Sequence, residues 1–359
     1  MSAVLKVLEP GLQTTIQDFG RPGLLRHGVP RSGAVDRVRL QLGNALVGNS
    51  PGEAALEVRM IGPTLQAEGG PVRLGLAGEM TAEILRSDGD LVSLVPWQSL
   101  LLQPGDQLRK VRLTGGCTGY LCVAGGLDLS PVLGSVASYR YARLGGLGDG
   151  AALTGGAVLA LRQSPDPSAQ DKCLTAPLEE KASQLRVIFG PQDQHFAPDT
   201  LARFAQEPFL VSHQADRMGV RLVGQAVHPL PGAAGSMRSD GSVPGAIQVP
   251  GSGEPVILGA DSQTIGGYPK IATVIAADLH KVGQLRPGDQ IRFHPVSLAE
   301  AQRQRQILDD KISRAVASIT PFLGLGAVDL MALYASNIIG GMVDAQRPNH
   351  FPENLEDPS

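Results

Sequence analysis

Cysteine is scarce in this chain. Only Cys117, Cys122 and Cys173 occur, an odd number with no metal-ligand spacing, as expected of a reducing cytosol. An excess of one charge is also missing. The net charge of −3 gives no sign of an electrostatic partner such as nucleic acid. No basic-then-apolar leader opens the sequence, because Met1 to Leu8 carries Lys6 inside a strand-like alternation. These absences predict a soluble, cytoplasmic protein.

Several catalytic motifs are missing or fail on inspection. No G-x-x-x-x-G-K-[ST] phosphate loop exists, and none of the seven histidines pairs at i, i+4. Gly48-Asn49-Ser50-Pro51-Gly52 fits a nucleophile elbow by letter, yet Pro51 lacks the N–H an oxyanion hole needs. Gly146-Leu147-Gly148-Asp149-Gly150-Ala151 loosely fits a dinucleotide fingerprint. A strand-like Val158–Leu161 follows it, so no helix N-terminus would meet the phosphate. A self-contained ATPase, serine hydrolase or zinc enzyme is not expected on these grounds.

What is present is glycine (45) and proline (27), with short β-branched apolar runs. That pattern favours many strands joined by turns. Residues 54–163 alternate such runs with turn signals and predict a barrel or sandwich. Arg37–Val47 has helical spacing and stops at Gly48-Asn49. Gln163–Glu180 is polar, carries prolines, and reads as a linker before a new strand at Leu185–Phe189. Ser297-Leu298-Ala299-Glu300 has the capping-box pattern and predicts a helix running towards Ile319. A second, more apolar helix is expected over Ala327–Ile339. The 322–343 stretch approaches the length of a membrane span, but Asp329 near its middle favours docking on protein. The resulting division is 1–165, a linker at 166–182, 183–296 and a helical tail at 297–359.

The two halves look like distant repeats. Asp36-Arg37 is echoed by Asp216-Arg217, and Pro104-Gly105-Asp106-Gln107-Leu108-Arg109 by Pro287-Gly288-Asp289-Gln290-Ile291-Arg292. A duplicated β domain with a cleft between the copies is a natural place for a ligand.

The densest set of reactive groups follows the apolar run Pro255–Ala260. It comprises Asp261, Gln263, Thr264, Tyr268 and Lys270, with Gln248 just upstream. Gly266-Gly267 permits a tight loop, and Pro269 limits where the Lys270 amine points. A plain glycine-rich β-turn, with Asp216-Arg217 and Asp261-Lys270 as ion pairs closing a barrel, is the competing reading. Asp18, Arg21, His27, Arg31 and Asp36 lie on a loop broken by glycine and proline. Its arginines suit a carboxylate or phosphate, and surface salt bridges are the alternative.

Four stretches together resemble a known family. They are Thr14-Thr15-Ile16-Gln17-Asp18-Phe19-Gly20-Arg21-Pro22-Gly23, Gly28-Val29-Pro30-Arg31-Ser32-Gly33-Ala34-Val35-Asp36, Ala215-Asp216-Arg217-Met218-Gly219-Val220-Arg221-Leu222 and the reactive stretch above. The chain is similar over about residues 4–295 to the biotin-dependent carboxyltransferases, also called allophanate hydrolase subunit 2. Two departures stand out: Ala215 replaces the usual serine, and Gly156 replaces the usual acid.

The resemblance implies a mostly β fold of two related β-barrel, cyclophilin-like domains with the helical tail appended. It implies work inside a hetero-oligomer with subunit-B-like and subunit-A-like proteins, as the C component of 5-oxoprolinase does. There ATP hydrolysis drives the opening of 5-oxoproline to L-glutamate, with ATP not bound by this chain alone. Asp261, Lys270 and Asp216 are the implied catalytic groups. Arg21, Asp36, Arg217, Gln248, Gln263, Thr264, Gly266, Gly267 and Tyr268 are the implied substrate-binding ones. No metal, nucleic acid or membrane is expected. A biotin-dependent urea or amide carboxylase subunit is the enzymatic alternative, although no Met-Lys-Met hook is present. A non-catalytic antagonist of a kinase-inhibitor protein is the alternative from another class.

Overall fold

Period-two burial marks strands of one sheet in the first half. In Met80–Leu85, Met80, Ala82 and Ile84 are buried while the residues between them are half-buried, as in a strand with one face on a core. A computed structural model describes residues 3–178, 183–232 and 237–322. Six antiparallel strands lie in the order Val158–Ala160, Val4–Glu9, Thr64–Glu68, Gln107–Leu113, Met80–Leu85 and Leu91–Leu94. Five more follow the order Gln13–Gln17, Ala55–Arg59, Thr118–Val123, Val72–Ala77 and Ser99–Leu102. Leu5, Ile84 and Leu108 of one sheet share a buried cluster with Leu56, Leu74 and Leu121 of the other. Of the barrel and sandwich readings of 54–163, the two facing sheets match the sandwich.

The second half closes on itself. Its strands run Gln184–Phe189, Lys270–Val274, Ala246–Gln248, Val256–Leu258, Gly219–Val223, Phe209–Ala215 and Gln290–Pro295. Parallel pairing of Gln184–Val187 with Arg292–Pro295 completes the ring and leaves no open edge. Phe204, from the helix Pro198–Gln206, stacks on Phe293 with centroids 4.5 Å apart and tilts against Phe209, filling one region of the barrel core. That helix, opened by Pro198 in its first turn, is absent from the sequence reading.

A third apolar cluster joins the parts. Leu40, Leu42 and Leu46 of the helix Arg37–Leu46 pack with Tyr120 and Ala77 of the sheets and with Ile275 and Ala277 beside the barrel. Leu308, Ile312 and Ala315 of the long helix Leu298–Ala317 belong to the same cluster. Ser297 caps that helix as its sequence indicates, accepting the Glu300 N–H at 3.1 Å. The expected linker is tied down in part, because Lys172–Leu174 pairs with Ile319–Pro321. The expected second tail helix and the candidate span at 322–343 lie outside the described residues beyond Phe322. Among the described residues, no helix is long and apolar enough to cross a membrane.

One proposed repeat is geometrically real. Asp106 N–H donates to the Gln103 carbonyl at 3.0 Å and Asp289 N–H to the Arg286 carbonyl at 3.0 Å. Each aspartate also accepts an N–H from three residues back, and Gly105 and Gly288 both adopt left-handed φ (94° and 89°). The other echo diverges. Asp36 caps a helix, whereas Asp216 closes the turn between two barrel strands.

Asp278 supplies a pH test of this architecture. It is fully buried and accepts Arg186 Nε at 2.9 Å, Nη2 at 2.6 Å and backbone N–H at 2.8 Å, with Lys281 at 3.0 Å. Burial alone pushes its carboxyl up, but the Arg186 bonds and Lys281 outweigh it and hold the pKa below the usual range. A depressed carboxylate stabilises the fold above its unfolded pKa and loses that contribution as pH falls through the folded value. Urea midpoints measured from about pH 7 to about pH 3 should therefore fall on acidification. Asp278→Asn should lose roughly 1–3 kcal/mol at neutral pH and show a shallower acid slope.

Candidate functional site

The reactive loop is anchored before it reaches its lysine. Strand Val256–Leu258 ends at Gly259, where any Cβ would collide with the Arg217 carbonyl. Glycine therefore lets the loop press on the Ala215–Gly219 turn. Gly259 N–H donates to the Met218 carbonyl at 2.9 Å and Asp261 N–H to the Arg217 carbonyl at 3.0 Å. The Arg217 guanidinium then reaches back, giving Nε to Asp261 Oδ2 at 2.7 Å and Nη2 to Oδ1 at 2.9 Å. Its Nη1 meets Glu57 Oε1 at 2.5 Å, and Nη2 also meets the Gly33 carbonyl at 2.8 Å.

This latch crosses between the two halves. Glu57 stands on the sheet strand Ala55–Arg59 and accepts the Tyr120 hydroxyl at 2.8 Å and the Val35 N–H at 3.0 Å. Ser32, held at φ 53°, donates its hydroxyl to Asp261 Oδ1 at 2.6 Å. Arg217, Glu57 and Asp261 are 8%, 1% and 5% exposed. Burial alone would depress the guanidinium, yet Glu57 and Asp261 outweigh it and raise its pKa. Burial and the neighbouring Glu57 and Asp36 push the Tyr120 phenol well up, so it stays a neutral donor.

Lys270 belongs to a different corner. It was expected beside Asp261, but its carboxylate partner is Asp240, with Nζ 3.4 Å from Oδ2. The short ribbon Asp240–Gly241 against Ile265–Gly266 brings that aspartate across. Gln192 ties the corner together, donating to Asp240 Oδ2 at 2.7 Å and accepting the Lys270 N–H at 3.0 Å. The Gly241 N–H first, then Gln192 and Lys270, hold the Asp240 carboxyl below its usual range. Gln263 donates to Gln248 Oε1 at 3.1 Å, and Gln248 Nε2 lies 3.4 Å from Ser242 Oγ. A Cβ on Gly266 would sit 2.5 Å from Gln248 Nε2, so glycine admits that amide. Lys270 is 1% exposed, Thr264 is buried and Tyr268 stands half-exposed. An ammonium, three primary amides and a carboxylate thus gather at one barrel end. Such a set can hold an anion or polarise a carbonyl.

The remaining expected residues lie elsewhere. Asp216 is exposed and its Oδ1 accepts the Met218 and Gly219 N–H groups at 2.8 and 3.2 Å, without contact to Lys270 among the described residues. Asp36 caps the helix Arg37–Leu46 through Arg39 N–H at 2.9 Å and accepts Gln284 Nε2 at 2.7 Å. Arg21 gives Nε to the Val132 carbonyl at 3.0 Å and Nη2 to the Ser135 and Ala137 carbonyls at 3.3 and 2.8 Å. Their bonds go to a turn, a helix start and a loop. The sequence reading missed Glu57, Ser32, Gln192 and Asp240. Only Glu57 gave a signal there, as a carboxylate inside the apolar strand Ala55–Arg59. Among the described residues no cluster of His, Cys, Asp and Glu has the arrangement to hold a metal.

Arg217→Met should strand two buried carboxylates and cost roughly 3–5 kcal/mol in denaturant unfolding, against about 1 kcal/mol or less for an exposed pair such as Lys6–Glu68. Equal small losses at both places would show that the latch adds nothing beyond a surface contact.

With the geometry described, comparison with known proteins gives its context. Residues 27–295 match the family of carboxyltransferase domains, subdomains A and B. The C subunit of 5-oxoprolinase from Escherichia coli K12 is 35% identical over 84% of this chain and 94% of its own length. That of Haemophilus influenzae is 34% identical over 87% and 99%. The urea amidolyase of Saccharomyces cerevisiae is 30% identical over 94% of this chain but only 19% of its own length. The crystal structure of the Kluyveromyces lactis urea carboxylase superposes with a TM-score of 0.78 at 30% identity, covering 88% of this chain and 29% of that one. A mostly β chain with a closed barrel, matched over this span and at these identities, belongs to the carboxyltransferase domain family, subdomains A and B.

Proposed function

We propose that this chain acts as the C-type component of an ATP-dependent 5-oxoprolinase, opening the lactam of 5-oxoproline to L-glutamate with subunit-A-like and subunit-B-like partners. One observation carries the reading: the similarity runs along 94% and 99% of two 5-oxoprolinase C subunits. Hydrolysing a lactam builds negative charge on its oxygen, and the substrate also carries a carboxylate. Lys270 is the cation in the barrel-end corner, with the Gln248 and Gln263 amides beside it as further donors. Asp240, within reach of Lys270, is the nearby proton acceptor. Asp261, whose oxygens take three bonds from Arg217 and Ser32, holds the loop that carries Gln263 and Tyr268. Asp216, set apart on its exposed turn, is assigned no chemistry in this reading. The phosphate-loop signature is missing from the sequence, so ATP is assigned to the partner proteins.

The likeness to the urea carboxylase structure supports a second reading, transfer of a carboxyl group from biotin to urea or another amide. The corner's ammonium and amides are donors of the type a ureido oxygen or a carboxylate accepts, so they fit that group as well. Bound there, biotin would supply the carboxyl group to be transferred; Lys270, Gln248 and Gln263 would orient the acceptor.

Purified chain mixed with its A-like and B-like partners should release glutamate from 5-oxoproline only with ATP present. Lys270→Met, which keeps the buried side chain's length, should lower that rate about a hundredfold or more with little change in the melting curve or partner binding. ATP-dependent turnover by this chain alone at the rate of the mixture would contradict the multi-subunit reading. Carboxylation of urea with a biotinylated carrier, and no glutamate release, would establish the second reading instead.

A further inference from the structure

A separate cavity of about 430 Å³ opens where the Arg31–Gln41 segment, the barrel turns at 215–220 and 258–260, and the long helix Leu298–Ala317 come together. Its size suits a small molecule. Lys270, Gln248 and Gln263 do not line it. Arg31, Arg37 and Arg305 reach it from the loop, the first helix and the long helix. The buried apolar side chains Val38, Val220, Leu258 and Leu308 line it as well.

The arginines are poorly compensated. Arg31 has no ion-pair partner among the described residues, and its Nε is buried without a hydrogen-bond acceptor. Arg37 gives one N–H to the Phe19 carbonyl and lies 5.2 Å from the centre of the Phe19 ring. Arg305 pairs with Asp309 on its own helix at 2.9 Å. Arg59 also lines the cavity and donates to Cys117 Sγ at 3.2 Å, whereas Arg217 is neutralised by Glu57 and Asp261. Asp216 is the one carboxylate on the wall among the described residues, and its Oδ1 takes two N–H groups of its own turn. Burial and then Arg305 lower the Arg31 pKa. Burial, followed by Arg31, lowers that of Arg37 to about 10. Like charges held together out of water are costly, and an anion among them would relieve the cost.

We infer that this cavity binds a small organic anion, its acidic head on Arg31 and Arg37 and its aliphatic body against Val38, Val220, Leu258 and Leu308. The site stands apart from the Lys270 corner and does not depend on the 5-oxoprolinase reading. Arginine forks suit carboxylate and phosphate heads alike, and the apolar wall selects for a hydrocarbon body over a bare ion.

Isothermal titration of the full-length protein at low salt, with hexanoate and with inorganic phosphate, tests this. Hexanoate should bind at one site per chain and more tightly than phosphate. Arg31→Gln should weaken hexanoate about tenfold or more with an unchanged melting curve. Should that variant fail to fold, Arg305→Gln on the half-exposed helix should weaken hexanoate severalfold and serves the same purpose. No saturable hexanoate binding, phosphate binding tighter than hexanoate, or unchanged binding in the folded variants would overturn the inference.

Discussion

A guanidinium taken out of water between two carboxylates is the constraint on which the rest depends. Arg217 comes from a barrel turn, Asp261 from the loop after the barrel strand Val256–Leu258, and Glu57 from a sheet of the other half. Removing such charges from solvent is expensive, and the cost is offset only when every partner is in place with good geometry. Here Ser32, Gly33, Val35 and Tyr120 supply the remaining bonds. Each member therefore fixes the others. The apolar cluster around the first helix holds the halves together without choosing a register, whereas the ion latch accepts one alignment.

That alignment positions two chemically different places. Beyond the latch in sequence, the same loop carries Gln263 and Gly266 to the corner where Lys270, Gln192 and Asp240 meet. The cavity lined by Arg31 and Arg37 takes Ala260 and Arg217 as part of its wall. Buried ion pairs thus serve as scaffold, and the groups with bonding capacity left over sit on either side. Lys270 keeps one carboxylate 3.4 Å away, while Arg31 keeps none among the described residues.

Much of the fold was legible because short apolar runs are bounded by turn-forming residues. Val72–Ala77, Leu91–Leu94, Gln107–Leu113 and Gln184–Phe189 all lie where apolar runs meet turn residues, to within a residue or so at each end. The strand Thr64–Glu68 escaped because Gln66 and Glu68 dilute its apolar content. The helix Pro198–Gln206 escaped because two anchors, Thr200 and Phe204, define its buried face. At the reactive loop, the sequence reading set Lys270 beside Asp261, whereas the structure pairs it with Asp240. Charge partners are chosen by tertiary approach, so Asp240, thirty residues upstream of Lys270, and Glu57, further still from Arg217, carry no local sign of their role. Conversely, Asp36 and Asp216 look reactive by type, although their carboxylates are occupied by nearby backbone N–H groups.

The central claim is that one latch orders both halves around the site, and hydrogen exchange at single residues tests it most directly. Glu57→Gln keeps the shape of the strand residue and removes one of the two charges on Arg217. The account expects the amides of Ser32, in the first half, and of Gly259 and Asp261, in the second, to lose protection together in this variant, while core amides of Leu56 and Leu121 keep theirs. Faster exchange confined to the strand around Glu57, with Gly259 and Asp261 as protected as before, would contradict it.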